Sequence, residues 1–210
     1  MTPERVLWYF ADPMCSWCWG FAPVISAIKE RYADRMKIVL MMGGLRPGTT
    51  EPQTPEAREE TLQHWRDVQR LSGQPFCFDG VLPSGFVYDT EPACRAVIAV
   101  AAINPAVTFS YFKSVQAAFY TQAQDVTRME TLAGLAQQSG IDRLLFLERF
   151  ISEDVLHKTR AHFRIAREAG VRSFPTILLQ SQSGQKLLTN VYCSFESLCP
   201  QIEAWLAETT

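Results

Sequence analysis

The chain has no run of 18 or more apolar residues, no block of like charge, no internal repeat and no low-complexity segment. The first absence leaves no candidate for a membrane-spanning helix. Charge of neither sign dominates: 20 Lys and Arg stand against 22 Asp and Glu, for a net charge of −2. Neither nucleic acid nor an anionic membrane surface is therefore an expected partner. Glycine and proline are sparse, 11 and 12 of 210 residues, which excludes fibrous and disordered classes. Met1-Thr2-Pro3-Glu4-Arg5 runs straight into a strand pattern, without the charged stretch, apolar stretch and cleavage site of a secretory leader. A cytoplasmic protein is the expectation. What is present, 47% hydrophobic residues over 210 positions, suits one large domain, or one domain with a sizeable insertion.

The apolar pattern changes period twice along the chain. Residues 5–11 read as a buried strand ended by Asp12-Pro13, and residues 15–33 as a helix with Phe21, Val24, Ile25 and Ile28 at helical spacing. Pro23 falls inside that pattern and should kink or break it. Residues 36–42 read as a second buried strand, stopped by Gly43-Gly44. A β-α-β unit of this kind implies parallel strands and a right-handed crossover. From residue 54 the period is helical: Pro55 opens a helix to Leu71, followed by helices over 90–103 and 106–122. Another helix begins at Thr127, where Thr127 and Glu130 form a capping-box pattern, and two more span 141–150 and 152–169, with Gly170 as the stop. Thr176–Leu179 and Lys186–Thr189 read as a hairpin about Ser183-Gly184, and Ser194 caps a last helix to Ala207. The expected division is 1–48, 49–150 (all helical) and 151–210.

Six cysteines occur, and two of them, Cys15 and Cys18, are separated by Ser16 and Trp17 at the first strand-to-helix junction. A Cys-X-X-Cys there is first of all a redox pair. The attacking species in disulfide exchange is the thiolate, and unpaired amides at a helix start favour a negative sulfur. Cys15, at or before the first turn, is the expected nucleophile; Cys18, one turn in and more covered, the resolving thiol. The rival reading, half of a zinc site, needs a second ligand pair. Cys77 with Cys94, and His64, His157 and His162, lack that spacing, so no metal is expected. The three histidines read as surface helix residues and Cys77 and Cys94 as small core residues.

The β-α-β half, the β-β-α half and this motif together describe a thioredoxin fold, and the helical block between them resembles the DsbA-like branch. The string Asp12-Pro13-Met14-Cys15-Ser16-Trp17-Cys18-Trp19-Gly20-Phe21 resembles the FrnE-type subgroup of DsbA-like proteins. Gly43-Gly44-Leu45-Arg46-Pro47-Gly48 and Gly170-Val171-Arg172-Ser173-Phe174-Pro175-Thr176 resemble that subgroup's loop after the second strand and the fold's cis-proline loop. The resemblance implies a cis bond before Pro175 and a Phe174 backbone turned outward to pair with a substrate chain. Met14, Trp17, Trp19, Phe21 and Phe174 are either ordinary core or an apolar docking patch, Trp17 being the one expected at the surface. Many relatives bury a carboxylate six residues before the nucleophile; here Tyr9 stands there, Asp12 is the nearest acid, and Asp-Pro is commonly a turn device.

Cys193 and Cys199 flank the start of the last helix. They form a secondary redox pair if Cys193 lies outside the helix and the chain bends back; otherwise they are unrelated, one buried against the sheet. The function expected is thiol-disulfide oxidoreduction through a Cys-Ser-Trp-Cys dithiol, without metal or organic cofactor. Protein thiols and disulfides, or glutathione-type thiols, are the expected partners. A reducing compartment favours reductase or isomerase work over oxidation. The alternatives are a glutathione-dependent transferase or isomerase on a kappa-class-like scaffold, and a redox-dependent binding protein.

Overall fold

The computed structural model describes residues 5–208. Four strands, β1 (Val6–Ala11), β2 (Lys37–Met42), β3 (Thr176–Ser181) and β4 (Gly184–Thr189), form one sheet in the order β2-β1-β3-β4. β1 runs parallel to β2, with Val6 opposite Lys37 and Ala11 opposite Met42, and antiparallel to β3, with Val6 opposite Gln180. The antiparallel β3–β4 hairpin carries one irregularity at Ile177/Leu178. β1 is central and has both faces covered. Alternate residues Leu7, Tyr9 and Ala11 enter the main core, while Phe10 enters a small second core with Met41, Leu178 and Ala166. A strand covered on both faces reads as a continuous apolar run, and Leu7-Trp8-Tyr9-Phe10-Ala11 is one.

Two helices occupy the first crossover, α1 (Ser16–Gly20) and α2 (Ala22–Tyr32). Pro23 separates them. It has no N–H to donate to the Trp19 carbonyl, which instead accepts from Gln74 Nε2 at 3.1 Å. The following helices are α3 (Pro55–Ser72), α4 (Glu91–Ile103), α5 (Thr108–Gln122), α6 (Met129–Gln138), α7 (Arg143–Phe150), α8 (Glu153–Glu168) and α9 (Phe195–Ala207). α4 is the hub of the helical block: Ala93, Ala96, Val97 and Val100 are buried at helical spacing, and it packs on α5, α6, α7 and α8. α3 is capped as its sequence suggests, Thr54 Oγ1 accepting from Ala57 N–H and Gly73 closing it at φ 71°.

Two local expectations fail. Thr127 does not cap α6. Its N–H and hydroxyl both donate to Asp125 Oδ1, at 3.0 and 2.6 Å, so the aspartate's turn outcompetes the capping box and Arg128 precedes the helix. His162 is not a surface residue either. α8 packs on β2, and His162 Nδ1 accepts from Met42 N–H at 3.2 Å, closing the end of that strand; burial lowers its pKa.

Candidate active site

Strand order brings three loops to one end of the sheet. β1 and β2 end there and antiparallel β3 begins there. The loop after β1 carries the cysteines, the loop after β2 carries Gly43 to Arg46, and the loop before β3 carries Arg172 to Pro175. β1 lies between the other two strands, so Cys15 is flanked from both sides.

Cys15 is the N-cap residue of α1, with extended backbone at φ −91° and ψ 116°. Its N–H donates to Asp12 O at 3.1 Å and its carbonyl accepts from Trp19 N–H at 3.0 Å. Its sulfur does not turn back onto the amides of the first turn. It points across to the next loop, donating to the Phe174 carbonyl at 3.5 Å. Cys18 lies one turn further on and is wholly buried, whereas Cys15 is 5% exposed. Both thiols are free. Burial, followed by the neighbouring Cys15 sulfur, pushes the Cys18 thiol well above the ordinary thiol range. The pair is thus asymmetric: one sulfur reaches a cleft, the other is sealed beneath it and resists ionisation.

Asp12 holds this arrangement together. Its carboxylate is wholly buried; Oδ1 accepts from Met14 N–H at 2.8 Å, and Oδ2 from Leu45 N–H at 2.6 Å and from the Cys94 thiol at 3.4 Å. The turn that starts the cysteine loop and the loop after β2 are therefore bonded to one side chain. Burial raises the Asp12 pKa, and the two backbone donors oppose that shift. The turn reading of Asp-Pro holds for Oδ1; the link to Leu45, 33 residues away, has no signature in sequence. Tyr9 lies beneath Cys18 on β1, wholly buried against Phe21 and Phe112. Its hydroxyl faces the Cys18 sulfur without a hydrogen-bond partner of normal geometry, and burial, then the two cysteine sulfurs, push the phenol up.

The Phe174–Pro175 bond is cis. The Phe174 ring lies against Gly43, where a Cβ would fall 2.0 Å from Cε1. Trp17 is half-buried, with its ring 6.1 Å from that of Tyr192. It separates two clefts. An apolar one of about 390 Å³ runs along Trp17, Leu71, Phe174, Val191 and Tyr192. The other, of about 340 Å³, opens at Cys15 and is walled by Trp17, Arg46, His64, Arg172 and Phe174.

Of the two readings open for Met14, the structure gives core. The residue is wholly buried, and its carbonyl accepts from Tyr88 Oη at 2.7 Å, so it backs the cleft and adds nothing to an exposed patch. Trp19 and Phe21 are likewise core. Cys193 and Cys199 are free and differently placed. Cys193 lies beside Thr189 Oγ1 at 3.4 Å, and Cys199, in α9, lies near the Tyr32 hydroxyl at the end of α2. Cys77 is half-buried rather than core, donating to Asp79 O at 3.4 Å. Among the described residues no group of three or more His, Cys, Asp or Glu could hold a metal ion, and no helix is long and apolar enough to cross a membrane.

Known proteins share this fold. A solved protein from Nitrosomonas europaea, provisionally described as a protein disulfide isomerase, is 41% identical, with 97% of this chain and 98% of that one covered and a TM-score of 0.92. The cytosolic disulfide reductase DsbM from Pseudomonas aeruginosa is 26% identical, with 96% and 98% covered and a TM-score of 0.80. DsbM has also been solved with GSH (glutathione). Among curated proteins, the ClpXP adapter protein SpxH of Halalkalibacterium halodurans is 22% identical over 176 residues, 82% of this chain and 57% of the relative. The chain spans between 56% and 59% of the length of the curated relatives it matches. Residues 6–191 match the DSBA-like thioredoxin domain, and the chain belongs to that family.

Proposed function

We propose that this chain is a thiol-disulfide oxidoreductase acting as a reductase or isomerase of protein disulfides, with glutathione as its thiol co-substrate. The observation that carries the reading is the asymmetric pair: a Cys15 sulfur at a cleft, set against the Phe174 carbonyl at 3.5 Å, above a sealed Cys18. The Cys15 thiolate attacks a substrate disulfide R–S–S–R′, forming Cys15–S–S–R and releasing R′–S⁻, which takes up a proton. Cys18 then attacks the Cys15 sulfur; R–S⁻ departs and the proton lost by Cys18 ends on it. The substrate has gained two electrons and the enzyme holds a Cys15–Cys18 disulfide. One glutathione opens that bond to a mixed disulfide at Cys15, and a second releases oxidised glutathione and restores the dithiol. In isomerisation the mixed disulfide is instead resolved by another substrate cysteine, and no net electrons pass.

The direction is supported by the likeness to a cytosolic disulfide reductase, and so is a cytoplasmic location. The FrnE-type assignment rests on the three motif stretches around Cys15, Arg46 and Pro175. The chemistry requires neither a metal nor an organic cofactor. The test is insulin reduction in a glutathione buffer. Cys15→Ser should abolish it, and Cys18→Ser should trap a mixed disulfide at Cys15. Turnover that survives Cys18→Ser would favour a glutathione-dependent transferase or isomerase. A second reading, an adapter that captures a partner protein, is favoured by the four SpxH relatives. Reduction unaffected by Cys15→Ser, with partner binding retained, would select it.

A further inference from the structure

The cleft at Cys15 is walled by two arginines, Arg46 and Arg172, and by His64, and no Asp or Glu lines it. Neither guanidinium lies within ion-pairing distance of a carboxylate among the described residues, a state they share with several other arginines. The two come from different loops, one after β2 and one before β3, and the strand order puts Cys15 between them.

Arg46 is also held in place. Its N–H donates to Thr90 Oγ1 at 3.1 Å and its carbonyl accepts from Thr90 N–H at 3.3 Å. Its guanidinium lies 5.2 Å from the centre of the Tyr88 ring, and the Tyr88 hydroxyl donates to the carbonyl of Met14, the residue before the nucleophile. A stacked, backbone-anchored guanidinium still has its donor edge free, and that edge matches a carboxylate in two parallel hydrogen bonds. Arg172 stands beside Ser173, whose hydroxyl is fixed to Asn190 O at 2.8 Å. Arg46, His64 and Arg172 are exposed at the rim of one recess, and that recess holds the reactive sulfur and no acid.

We propose that Arg46 and Arg172 each read one carboxylate of the thiol co-substrate, so that the site selects a small thiol with an anionic group on either side of its sulfur. The proposal rests on the glutathione-coupled reading and specifies how the thiol is recognised. Cation, sulfur, cation across the end of the sheet mirrors carboxylate, thiol, carboxylate along γ-glutamyl-cysteinyl-glycine. The cleft, about 340 Å³, lies at the small end of the roughly 300–1,000 Å³ usual for small-molecule sites, and suits a tripeptide thiol better than a protein loop.

The test compares kcat/KM for glutathione with that for its diethyl ester, which keeps the thiol and loses both carboxylates. The wild type should prefer glutathione strongly. Arg46→Gln and Arg172→Gln should each lower the glutathione-to-ester ratio roughly tenfold, mainly through KM, and the preference should shrink as salt is raised. Arg46→Lys should recover part of the ratio, since the charge remains and the fork is lost. A wild-type ratio near one, or a ratio the Gln variants leave unmoved, overturns the proposal, while Cys15-dependent insulin reduction in the glutathione buffer leaves the parent reading intact. Loss of Cys15 dependence with every thiol overturns both.

Discussion

An alanine at position 43 would place its Cβ 2.0 Å from Cε1 and 2.1 Å from Cζ of Phe174. Gly43 cannot retreat, because its N–H continues the β1–β2 pairing by donating to Ala11 O at 2.8 Å. The ring must therefore move, and with it the residue whose carbonyl faces the Cys15 sulfur. Overpacking of this kind costs about 1–3 kcal/mol. For a chain of this size each kcal/mol shifts Tm by about 2–4 °C, so Gly43→Ala should lower Tm by roughly 2–12 °C. It should also cut kcat/KM for insulin reduction by roughly tenfold, since about 1.4 kcal/mol of misplacement is enough. Gly134→Ala is the control. It lies inside α6 with nothing within 4 Å of the added methyl, and should stabilise by about 0.5–1 kcal/mol. Urea unfolding of Gly43→Ala, Phe174→Leu and the double variant completes a cycle. The double variant should regain more than about 0.5 kcal/mol over the sum of the single effects. A Gly43→Ala protein with wild-type stability and wild-type exchange would refute the contact and the route from it to Cys15.

Three further outcomes are expected. Cys18 has a thiol pKa raised by burial, so the stability it contributes is full below about pH 8.5 and is lost as pH rises toward its folded-state value. Urea midpoints of the reduced protein should therefore fall above that pH, and Cys18→Ala should flatten the fall. His162 has its pKa lowered by burial, so its contribution is present above about pH 6.5 and lost as pH falls through the depressed folded value; His162→Gln should reduce the acid sensitivity of the urea midpoint between pH 6.5 and 5. Trp17→Ala removes a half-buried ring between the two clefts, and should lower kcat/KM for insulin severalfold while moving Tm by no more than a few degrees, as read by reduction assays and thermal melts in parallel.

Much of this protein was legible in one dimension because its determinants are local. Alternation and apolar runs mark β1 and β2, prolines mark the breaks at residues 23 and 55, and a spacing of three along a helix start puts Cys15 and Cys18 on successive turns. The motif that carries the chemistry lies within ten consecutive residues. Where a local rule failed, a nearer or a more distant partner took the group: Asp125 took Thr127, and the Met42 amide took His162.

Tertiary structure alone decided how the site is built around that motif. Sequence leaves Asp12 as a turn residue; folding makes it the acceptor that joins two loops 33 residues apart, because a buried carboxylate must satisfy both oxygens. Met14 reads as surface or core with equal ease, and the Tyr88 hydroxyl bonded to its carbonyl places it inside. The convergence of Arg46 and Arg172 on Cys15 follows from strand order, and that order is set by which apolar faces bury one another across the sheet. Residue identity could supply the reactive sulfur; only long-range packing could choose its neighbours.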